Sequence, residues 1–365
     1  MGGSLNIGII GVGTISDQYF AQWPKLLNLS LVAVADLDDA RAASVAAKRG
    51  VEALSVDRLL ADPRIDAVLN LTIPAAHVDI ARRAIAAGKH VYGEKPLALS
   101  TAEATPLLES AAAAGLRVGS APDTVLGTGI QTARSVLDSG RIGAPVGASV
   151  HWVAPGHELW HPAPAFYYQN GGGPLFDMGP YYLTSLVSLF GPVVRVSGAV
   201  GRSDRERTIA TGRNTGTVIP IDVDTHVTAL LEHANGVIST VTMSFEVWVT
   251  RSPLFEVYGT EGTIAVPDPN RFAEVVSFAT ATDREWQEVG TEAGYEDAGR
   301  GVGLSDMARA IETNRPHRAS GELAFHVLEI MESVILAGHT HTVVDLRSGV
   351  HRPEPVTRGS LPFSW

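Results

Sequence analysis

Cysteine is absent from this chain of 365 residues. Its absence excludes a disulfide framework, a thiolate nucleophile and any cysteine-ligated metal centre. Long apolar runs are also missing. A transmembrane helix needs about 18 or more consecutive apolar residues, and the sequence contains no such run, so it predicts no membrane span.

Charged residues are scarce, at 18% of the chain, and the net charge is −11. An acidic balance argues against nucleic acid or an anionic membrane as the main partner. The chain enters an apolar segment near residue 5 without a basic region or a cleavage site, so we expect a soluble cytoplasmic protein. With 45% hydrophobic residues, the length suits about two domains.

Lysine is rare, because only four of the 28 basic residues are lysines. One of them, Lys95, follows an apolar segment at 90–92 and lies between Glu94 and Pro96. A lysine at the carboxyl end of a strand, beside a dinucleotide crevice, is placed for chemistry on a substrate. Taken alone, a lysine is more often a solvated surface residue. Whether Lys95 is a site residue therefore depends on the motifs around it.

The first third of the chain alternates between apolar segments and amphipathic segments. Such alternation with short turns predicts a doubly wound parallel sheet, the Rossmann fold, in a domain spanning residues 1–122. The predicted strands are 5–10, 31–35, 67–71, 90–92 and 117–120, and the predicted helices are 15–27, 40–48, 77–87 and 101–114.

The pattern changes near residue 122, where long strand-like segments begin. Apolar and polar residues alternate along 237–243, which predicts a mostly antiparallel sheet with one packed face. We therefore expect a second, α+β domain at 123–365. Its predicted strands are 146–153, 193–200, 226–232, 236–249, 254–258 and 263–266, and its predicted helices are 130–139 and 323–336.

A glycine turn follows the first predicted strand. Gly11 allows the tight turn, and Gly13 lets a pyrophosphate approach the backbone. Thr14 and Ile15 then open a helix whose N–H groups face the anion, and Ser16 replaces the usual third glycine. A glycine pattern alone is a weak signal, but this one lies between a strand and a helix, as a dinucleotide site requires.

Asp36 ends the second predicted strand, twenty residues beyond Ser16. A carboxylate at this place accepts hydrogen bonds from both hydroxyls of an adenosine ribose, and it repels a 2′-phosphate. No arginine follows it directly, so the sequence favours NAD over NADP.

A helix is predicted after the glycine run at 171–173, with Pro174 at its first position. Pro180 lies in its first turns and predicts a kink. Helical spacing separates two stripes. The apolar stripe is Leu183, Leu186, Val187 and Phe190, and the polar stripe is Asp177, Tyr181, Thr184 and Ser188. On this segment alone, Tyr181 could equally be a surface residue of an amphipathic helix.

Several of these stretches occur together in one known family. With the glycine turn and the segments 70–77, 87–97, 171–179 and 258–263, the chain resembles the glucose–fructose oxidoreductase/inositol dehydrogenase (Gfo/Idh/MocA) family over nearly its whole length. The resemblance implies a Rossmann domain followed by a domain built on a large open sheet. That sheet commonly forms the oligomer interface, so we expect a homodimer or homotetramer.

The resemblance also implies roles for individual residues. The family's lysine falls on Lys95, and its D-x-G-x-H segment falls on 177–181, with Tyr181 in place of histidine and Thr184 in place of the following aspartate. This departure is similar to the tyrosine-type branch rather than the inositol type. The peptide before Pro96 is often cis in the family. The implied cofactor contacts include Thr72, Pro74, His77, Glu94 and Lys95.

Chemistry suggests how the central residues act. Oxidation of an alcohol needs a base for the hydroxyl proton while hydride leaves the same carbon. A phenol ordinarily titrates at about 10, and a neighbouring ammonium favours the phenolate. We therefore predict Tyr181 as the general acid/base, Lys95 as its electrostatic partner and substrate anchor, and Asp177 as the carboxylate that orients the substrate hydroxyl.

Residues 157–161 match H-E-x-x-H, a zinc-hydrolase motif that requires a helix. Prolines at 155, 162 and 164 make a regular helix improbable, so we expect no metal and a substrate loop instead. Aromatic faces with polar tips suit a sugar ring, although a buried aromatic cluster is the alternative. The predicted substrate contacts are Lys95, Asp123, His157, Trp160, Tyr167, Asp177 and Tyr181, with Gln131 as a weaker candidate.

Three functions fit this sequence. The first is an NAD-dependent oxidoreductase of a sugar, polyol or related cyclic alcohol. The second is a glycosidase or lyase that oxidises its substrate transiently and returns the hydride. The third is a nucleotide-binding sensor without turnover, and the presence of Lys95, Asp177 and Tyr181 argues against it.

Overall fold

A computed structural model describes residues 4–362 of the chain. Contacts divide the chain into two compact units. The first consists of residues 4–131, 293–328 and 353–362, and the second of Thr132–Glu292 and Glu329–Arg352. A single boundary at residue 122 does not reproduce this division, because two later segments pack with the N-terminal part of the chain.

The first unit contains a six-stranded parallel sheet. Its order is β3-β2-β1-β4-β5-β6. The strands are β1 (Leu5–Ile10), β2 (Leu29–Ala35), β3 (Glu52–Ala53), β4 (Ala67–Asn70), β5 (His90–Gly93) and β6 (Val118–Ser120). The central strands are buried, as expected for a sheet covered on both faces. This confirms the predicted doubly wound Rossmann fold.

Helices connect these strands, and short polar residues cap several of them. Asp38, Ser55 and Ser100 each accept a hydrogen bond from a backbone N–H of the first turn that follows. The helices are α1 (Ser16–Gln22), α2 (Asp39–Arg49), α3 (Val56–Ala61), α4 (His77–Ala86), α5 (Thr101–Ala113) and α6 (Thr128–Asp138). The sequence did not predict β3 or α3, because both are too short to show a period.

The second unit contains a nine-stranded sheet, in which β12 pairs parallel to β7 and the other pairs are antiparallel. The elements are β7 (Pro145–Val153), α7 (Gly173–Phe190), β8 (Val193–Gly201), β9 (Arg207–Thr208), β10 (Val218–Ile219), β11 (His226–His233), β12 (Ile238–Ser244), β13 (Phe255–Gly259), β14 (Gly262–Ala265), β15 (Val276–Thr280) and β16 (Gln287–Val289). The chain ends with α8 (Val302–Glu312) in the first unit, then α9 (Gly321–Thr340) and β17 (Val344–Asp345).

The order of the large sheet is β16-β15-β14-β13-β7-β12-β11-β8-β17. Burial alternates residue by residue along β11, which confirms the predicted sheet with one packed face. Helix α7 packs on this sheet against β11 and β12. The sequence missed α8 and the short strands β9, β10 and β15 to β17.

Helix α7 is continuous, and apart from the partly buried Asp177 both of its predicted stripes are buried. It runs without interruption from Gly173 to Phe190 through Pro180. The polar stripe is not a solvent-facing surface, since Thr184 and Ser188 are as buried as the apolar stripe. The strands cover one side, and Met331 of α9 approaches Gly179 on another. The helix is therefore enclosed, and a polar side chain on it has to find a protein or substrate partner.

A helix that spans a bilayer needs about 20 mostly apolar residues. Within residues 4–362, no helix combines the length and the apolar character for such a span.

Two histidines are buried as parts of the fold. In the first unit, His317 bonds through Nε2 to the Val118 carbonyl oxygen at 3.1 Å. In the second, His233 bonds to the Gly191 carbonyl and to the Ser239 hydroxyl, each at 3.0 Å. Burial lowers the pKa of both imidazoles below the ordinary value of 6.5. As the pH falls below 6.5, these two histidines therefore stay neutral in the folded protein but become protonated in the unfolded chain.

We predict that the free energy of unfolding is highest above pH 6.5 and decreases as the pH falls, because protons then bind the unfolded chain preferentially. Each such histidine adds at most about 1.4 kcal/mol per pH unit. In His317→Gln the amide still donates to Val118 but does not titrate, so the decrease should be shallower. Urea unfolding at several pH values measures the slope. His351→Gln, at an exposed position, is the control, and an identical slope in both variants would contradict this assignment.

Candidate active site

The glycine turn after β1 is built for close approach of another backbone or a phosphate. Gly11 has a φ of 92°, and its N–H donates to the Ala35 carbonyl oxygen at 2.8 Å. A Cβ at this position would lie 2.7 Å from the backbone of Leu71, so no other residue fits without strain. At Gly13 a Cβ would meet nothing within 4 Å, so this side of the turn is open.

The open side of the turn presents backbone donors. Within residues 4–362, the N–H groups of Gly13, Thr14 and Ile15 have no hydrogen-bond acceptor in the protein. Ile15 precedes α1 and provides no side-chain cap. Three backbone donors beside an open space fit a bound pyrophosphate, as the glycine pattern predicts.

Asp36 is fixed beside this turn. Its Oδ2 accepts the Val12 N–H at 2.8 Å, and its Oδ1 accepts the Asp38 N–H at 2.9 Å. The carboxylate therefore stands where an adenosine ribose would meet it. Arg41, on the first turn of α2, reaches back to 3.5 Å from Oδ1. The residues directly after Asp36 in the sequence, Leu37 and Asp38, gave no sign of this arginine.

The end of β4 is organised by Asn70, a buried residue that the sequence analysis did not identify. Its amide donates to the His77 carbonyl at 3.0 Å, and its Oδ1 accepts the Thr72 hydroxyl at 2.7 Å. This places Thr72 and the turn Pro74–Ala76 at the carboxyl edge of the sheet. An asparagine at the end of an otherwise apolar strand was the available signal.

His77 is the first residue of α4 and ties neighbouring turns together. Its ring is buried, with Nδ1 2.7 Å from the Pro96 carbonyl oxygen and Nε2 3.0 Å from the Thr72 carbonyl oxygen. The ring therefore links the end of β4 to the turn after Lys95, and the predicted cofactor contact of His77 stays a prediction.

Glu94 supports Lys95 from the preceding position. Its Oε1 accepts the Tyr19 hydroxyl at 2.8 Å, and its Oε2 accepts the Lys95 N–H at 3.1 Å. Arg300 lies 3.9 Å from Oε1. Burial, and then the charge of Glu94, raises the pKa of Tyr19, which keeps this hydroxyl a donor. Both oxygens of Glu94 thus support the protein around Lys95, and its predicted cofactor contact stays a prediction.

The Lys95–Pro96 peptide bond is cis, in agreement with the resemblance. Lys95 thus leaves β5 at the same sheet edge as the glycine turn, with a backbone fixed by Glu94 and a following turn fixed by His77. This edge is where parallel α/β sheets bind ligands.

Asp123 is not placed to contact a substrate. It is 0% exposed, and its Oδ2 accepts the N–H groups of Gly301 and Gly303 at 2.8 and 3.0 Å. Burial raises the pKa of this carboxyl. Gln131 is likewise structural, because its amide bonds the Val125 carbonyl and the Val356 N–H. Both predictions as cleft residues are corrected.

In the second unit, Asp177 and Tyr181 lie one helical turn apart on α7, as the spacing predicted. Tyr181 is only 4% exposed, so it is not the solvated surface residue that amphipathic patterning allowed. The Asp177 Oδ2 lies 2.8 Å from Nε2 of His157. Both residues are predicted substrate contacts, but their pairing was not predicted from the sequence.

The glycine run explains how α7 begins. A Cβ at Gly172 would lie 2.6 Å from the carbonyl oxygens of Phe166 and Tyr167, and Gly173 has a φ of 87°. Glycine at these positions lets the short helical turn Ala165–Tyr168 pack against the start of the helix that carries Asp177.

The H-E-x-x-H segment folds as a short 3-10 turn, His157–Leu159. Glu158 is buried and pairs with Arg207 at 3.0 Å, whereas His157 faces Asp177. Burial, and then the nearby His157, lowers the pKa of His161. Across the described part of the chain, no group of three histidine, aspartate or glutamate side chains is arranged to hold a metal ion.

The predicted substrate loop divides into exposed and buried aromatic residues. Trp160 and Phe166 are 58% and 50% exposed. The Tyr167 ring lies 4.0 Å from that of Phe166 and 4.3 Å from that of His157. Tyr168 belongs to the core instead, packed with Phe245. Aromatic side chains therefore extend from the exposed surface of the loop to the His157–Asp177 pair.

Together, the parallel sheet, the glycine turn with its donors and the fixed Asp36 define a nucleotide-binding protein of the Rossmann class. Comparison with known families then identifies it. Residues 5–121 match the model described as "Oxidoreductase family, NAD-binding Rossmann fold", and residues 130–265 match the "GFO/IDH/MocA C-terminal domain". The chain belongs to the Gfo/Idh/MocA family of oxidoreductases, and its cofactor is NAD.

Curated relatives support the same family. The inositol 2-dehydrogenase of Pseudomonas fluorescens Pf-5 is 34% identical over 39% of this chain and 44% of its own length. The chain thus spans less than half the length of that relative. A dTDP-3,4-didehydro-2,6-dideoxy-alpha-D-glucose 3-reductase of Streptomyces violaceoruber is 30% identical over 80% of this chain and 89% of its own.

Solved structures share the fold. An NAD binding oxidoreductase from Klebsiella pneumoniae superposes with a TM-score of 0.81 at 22% identity, over 94% of this chain and 99% of its own. A levoglucosan dehydrogenase in complex with NADH and L-sorbose gives 0.79 at 22% identity, over 95% and 100%.

The two glycines of the turn should respond differently to alanine. Gly13→Ala meets no steric conflict, so the free energy of unfolding should change by no more than about 0.5 kcal/mol. Its methyl group would fill the space for the pyrophosphate and weaken NAD binding by at least about tenfold. Gly11→Ala should instead destabilise the fold by about 1–3 kcal/mol.

Calorimetric NAD titration and thermal unfolding of both variants check this. Unchanged NAD affinity in Gly13→Ala would show that the pyrophosphate does not lie on this side of the turn.

Proposed function

We propose that this oxidoreductase transfers hydride between NAD and a sugar, polyol or related cyclic alcohol, with Tyr181 as the acid/base. The observation that carries the proposal is the pair of Asp177 and Tyr181 on the enclosed helix α7. A carboxylate and a phenol one turn apart, within an apolar surrounding, suit a substrate that carries neighbouring hydroxyl groups.

The roles follow from the chemistry of alcohol oxidation. Tyr181 removes the hydroxyl proton during oxidation and returns it during reduction. The ammonium of Lys95 stabilises the phenolate and anchors the substrate oxygen. Asp177 accepts a hydrogen bond from a substrate hydroxyl and orients the sugar. When bound, the nicotinamide supplies the hydride acceptor or donor.

The names of the curated relatives agree with this substrate class. They include inositol 2-dehydrogenase, a reductase of a dTDP-linked keto sugar, and the trans-1,2-dihydrobenzene-1,2-diol dehydrogenase of Bos taurus, which is 29% identical over 73% of this chain and 75% of its own. All three are named for cyclic substrates. We propose that the second unit binds such a ring, with Trp160 and Tyr167 at its faces.

An NAD-linked absorbance screen over aldoses, inositols, sugar acids and dihydrodiols tests the proposal. With an active substrate, Lys95→Ala and Tyr181→Phe should each lower kcat by at least about 100-fold, the size expected for acid–base catalysis. Asp177→Asn should mainly raise KM, because the amide keeps the shape but loses the charge.

Lys48→Ala and Tyr258→Phe change exposed residues of the same types and serve as controls. NAD affinity is measured in every variant to show that the first unit is intact. If neither Lys95→Ala nor Tyr181→Phe reaches the expected loss, the assigned roles are wrong. Conversion of a glycoside without net NADH would instead favour transient oxidation.

We also propose that the chain forms a homodimer or homotetramer through the open face of the nine-stranded sheet. Helix α7 packs against β11 and β12 on one face. On the other, Leu230 and Ile238 are exposed beside the Thr228–Thr242 pair, whose hydroxyl oxygens lie 3.3 Å apart. Exposed apolar residues among threonines suit a sheet-to-sheet interface.

Leu230→Glu should dissociate this oligomer, because it would bury a carboxylate at the interface. Sedimentation velocity should give two or four times the mass of one chain for the wild type and one chain mass for the variant. Leu27→Glu, which adds the same charge at an exposed position of the first unit, should sediment as the wild type. A monomeric wild type would refute the proposal.

A further inference from the structure

The ring of His157 is bonded at both nitrogens. Nε2 lies 2.8 Å from the Asp177 Oδ2, and Nδ1 lies 3.2 Å from the indole nitrogen of Trp160. An indole N–H can only donate, so Nδ1 has to accept. The ring proton is therefore on Nε2, and it is donated to Asp177. The exposed tryptophan thus sets the tautomer of the buried histidine.

The backbone of His157 is held as firmly as its ring. Its N–H donates to the Tyr168 hydroxyl at 3.1 Å, and that hydroxyl donates to Glu158. Arg207 binds Glu158 at 3.0 Å and the Pro155 carbonyl at 2.9 Å. The residues on both sides of His157 are therefore fixed by one guanidinium that is 0% exposed.

Aromatic rings then hold the imidazole in place. The rings of Tyr167, Phe245 and Trp160 lie 4.3, 4.6 and 5.1 Å from it, measured between centroids. Rings on several sides leave the imidazole little freedom to rotate away from Asp177.

The acidic side chains of the loop that carries His157 and of its neighbour Glu246 are paired with arginines. Glu158 and Glu246 are paired with Arg205 and Arg207. Among the described residues, the titratable groups that contact His157 or interact with its charge are Asp177 on α7 and, in its own loop, His161, Tyr167 and Tyr168. The ion cluster is linked to the His157 backbone through Glu158 and the Tyr168 hydroxyl. Asp177 is the carboxylate that the ring directly contacts.

We propose that His157 is a positioning residue: its neutral imidazole, locked by Trp160, fixes the Asp177 carboxylate in one orientation for the substrate hydroxyl. That Asp177 receives this hydroxyl rests on the proposed function; the locked tautomer does not. One carboxylate oxygen is committed to Nε2–H, so the orientation of the other is set. His157 is thus assigned to Asp177 rather than to the substrate contact predicted from the sequence.

Two substitutions separate positioning from simple packing. In His157→Gln the amide nitrogen can still donate from near the position of Nε2, whereas His157→Leu keeps the bulk and loses the donor. We expect kcat/KM within about fivefold of wild type for the first and lowered by at least about 30-fold for the second, the range of a lost hydrogen bond to a charged group. Equal losses, or no loss in His157→Leu, would overturn the proposal.

The tautomer is read directly, without substrate, by nitrogen NMR of histidine-labelled protein at pH 7. His157→Gln identifies the signals of His157 by their disappearance. The wild type should show a protonated Nε2 and an unprotonated Nδ1. The reverse tautomer, or a doubly protonated ring, would overturn the proposal.

Trp160→Phe keeps an aromatic ring but removes the indole donor. Nδ1 then loses the hydrogen bond that it accepts, so its nitrogen resonance should move away from the wild-type position. Trp286→Phe, at an exposed tryptophan of the same unit, should leave the spectrum of His157 unchanged. An unchanged Nδ1 signal in Trp160→Phe would show that the tryptophan does not set the tautomer. If the tautomer is as described but no substrate is turned over, the proposed function fails and this inference about the ring stands.

Discussion

Parallel strand pairing is the constraint from which the cofactor site follows. Because β2, β1, β4 and β5 run side by side in one direction, their carboxyl ends meet at one edge of the sheet. The residues that follow these ends are the glycine turn, Asp36, Thr72 and Lys95. No direct contact among these residues is needed to gather them once the strands pair, and ligands of α/β sheets bind at this edge. The remaining contacts, such as that of Glu94 with the Lys95 N–H, fix the local conformation of residues that the strand order has already brought to this edge.

The second unit relies on a different device, a buried ion cluster. Arg207 joins Glu158 and Glu246, which belong to separate segments, and so fixes the irregular loop that carries His157. Removing one partner of such a buried pair costs about 3–5 kcal/mol, because the other charge is left uncompensated. None of the residues in this cluster is assigned a contact with the substrate or the cofactor. Its effect on function is to give Asp177 a rigid neighbour, through His157.

The sequence predicted what depends on neighbouring residues and missed what depends on distant ones. The Rossmann alternation, the glycine turn and the spacing of Asp177 and Tyr181 are local patterns, and the structure contains all three. Two predicted substrate contacts, Asp123 and Gln131, are buried and bond to residues far along the chain, Gly301 and Val356. The sequence also left open whether Tyr181 on the polar stripe of α7 is a surface residue, since helical spacing does not show that both faces are covered.

Transfer of isotope from the cofactor tests the central claim most directly. The protein is incubated with NADH that carries deuterium at the transferable position, together with keto forms of the candidate sugars and polyols, and the products are examined by mass spectrometry. Direct hydride transfer predicts one deuterium bonded to carbon in an alcohol product of this class. Retention of all the label in NADH across the panel, or loss of the label to water, would contradict the account.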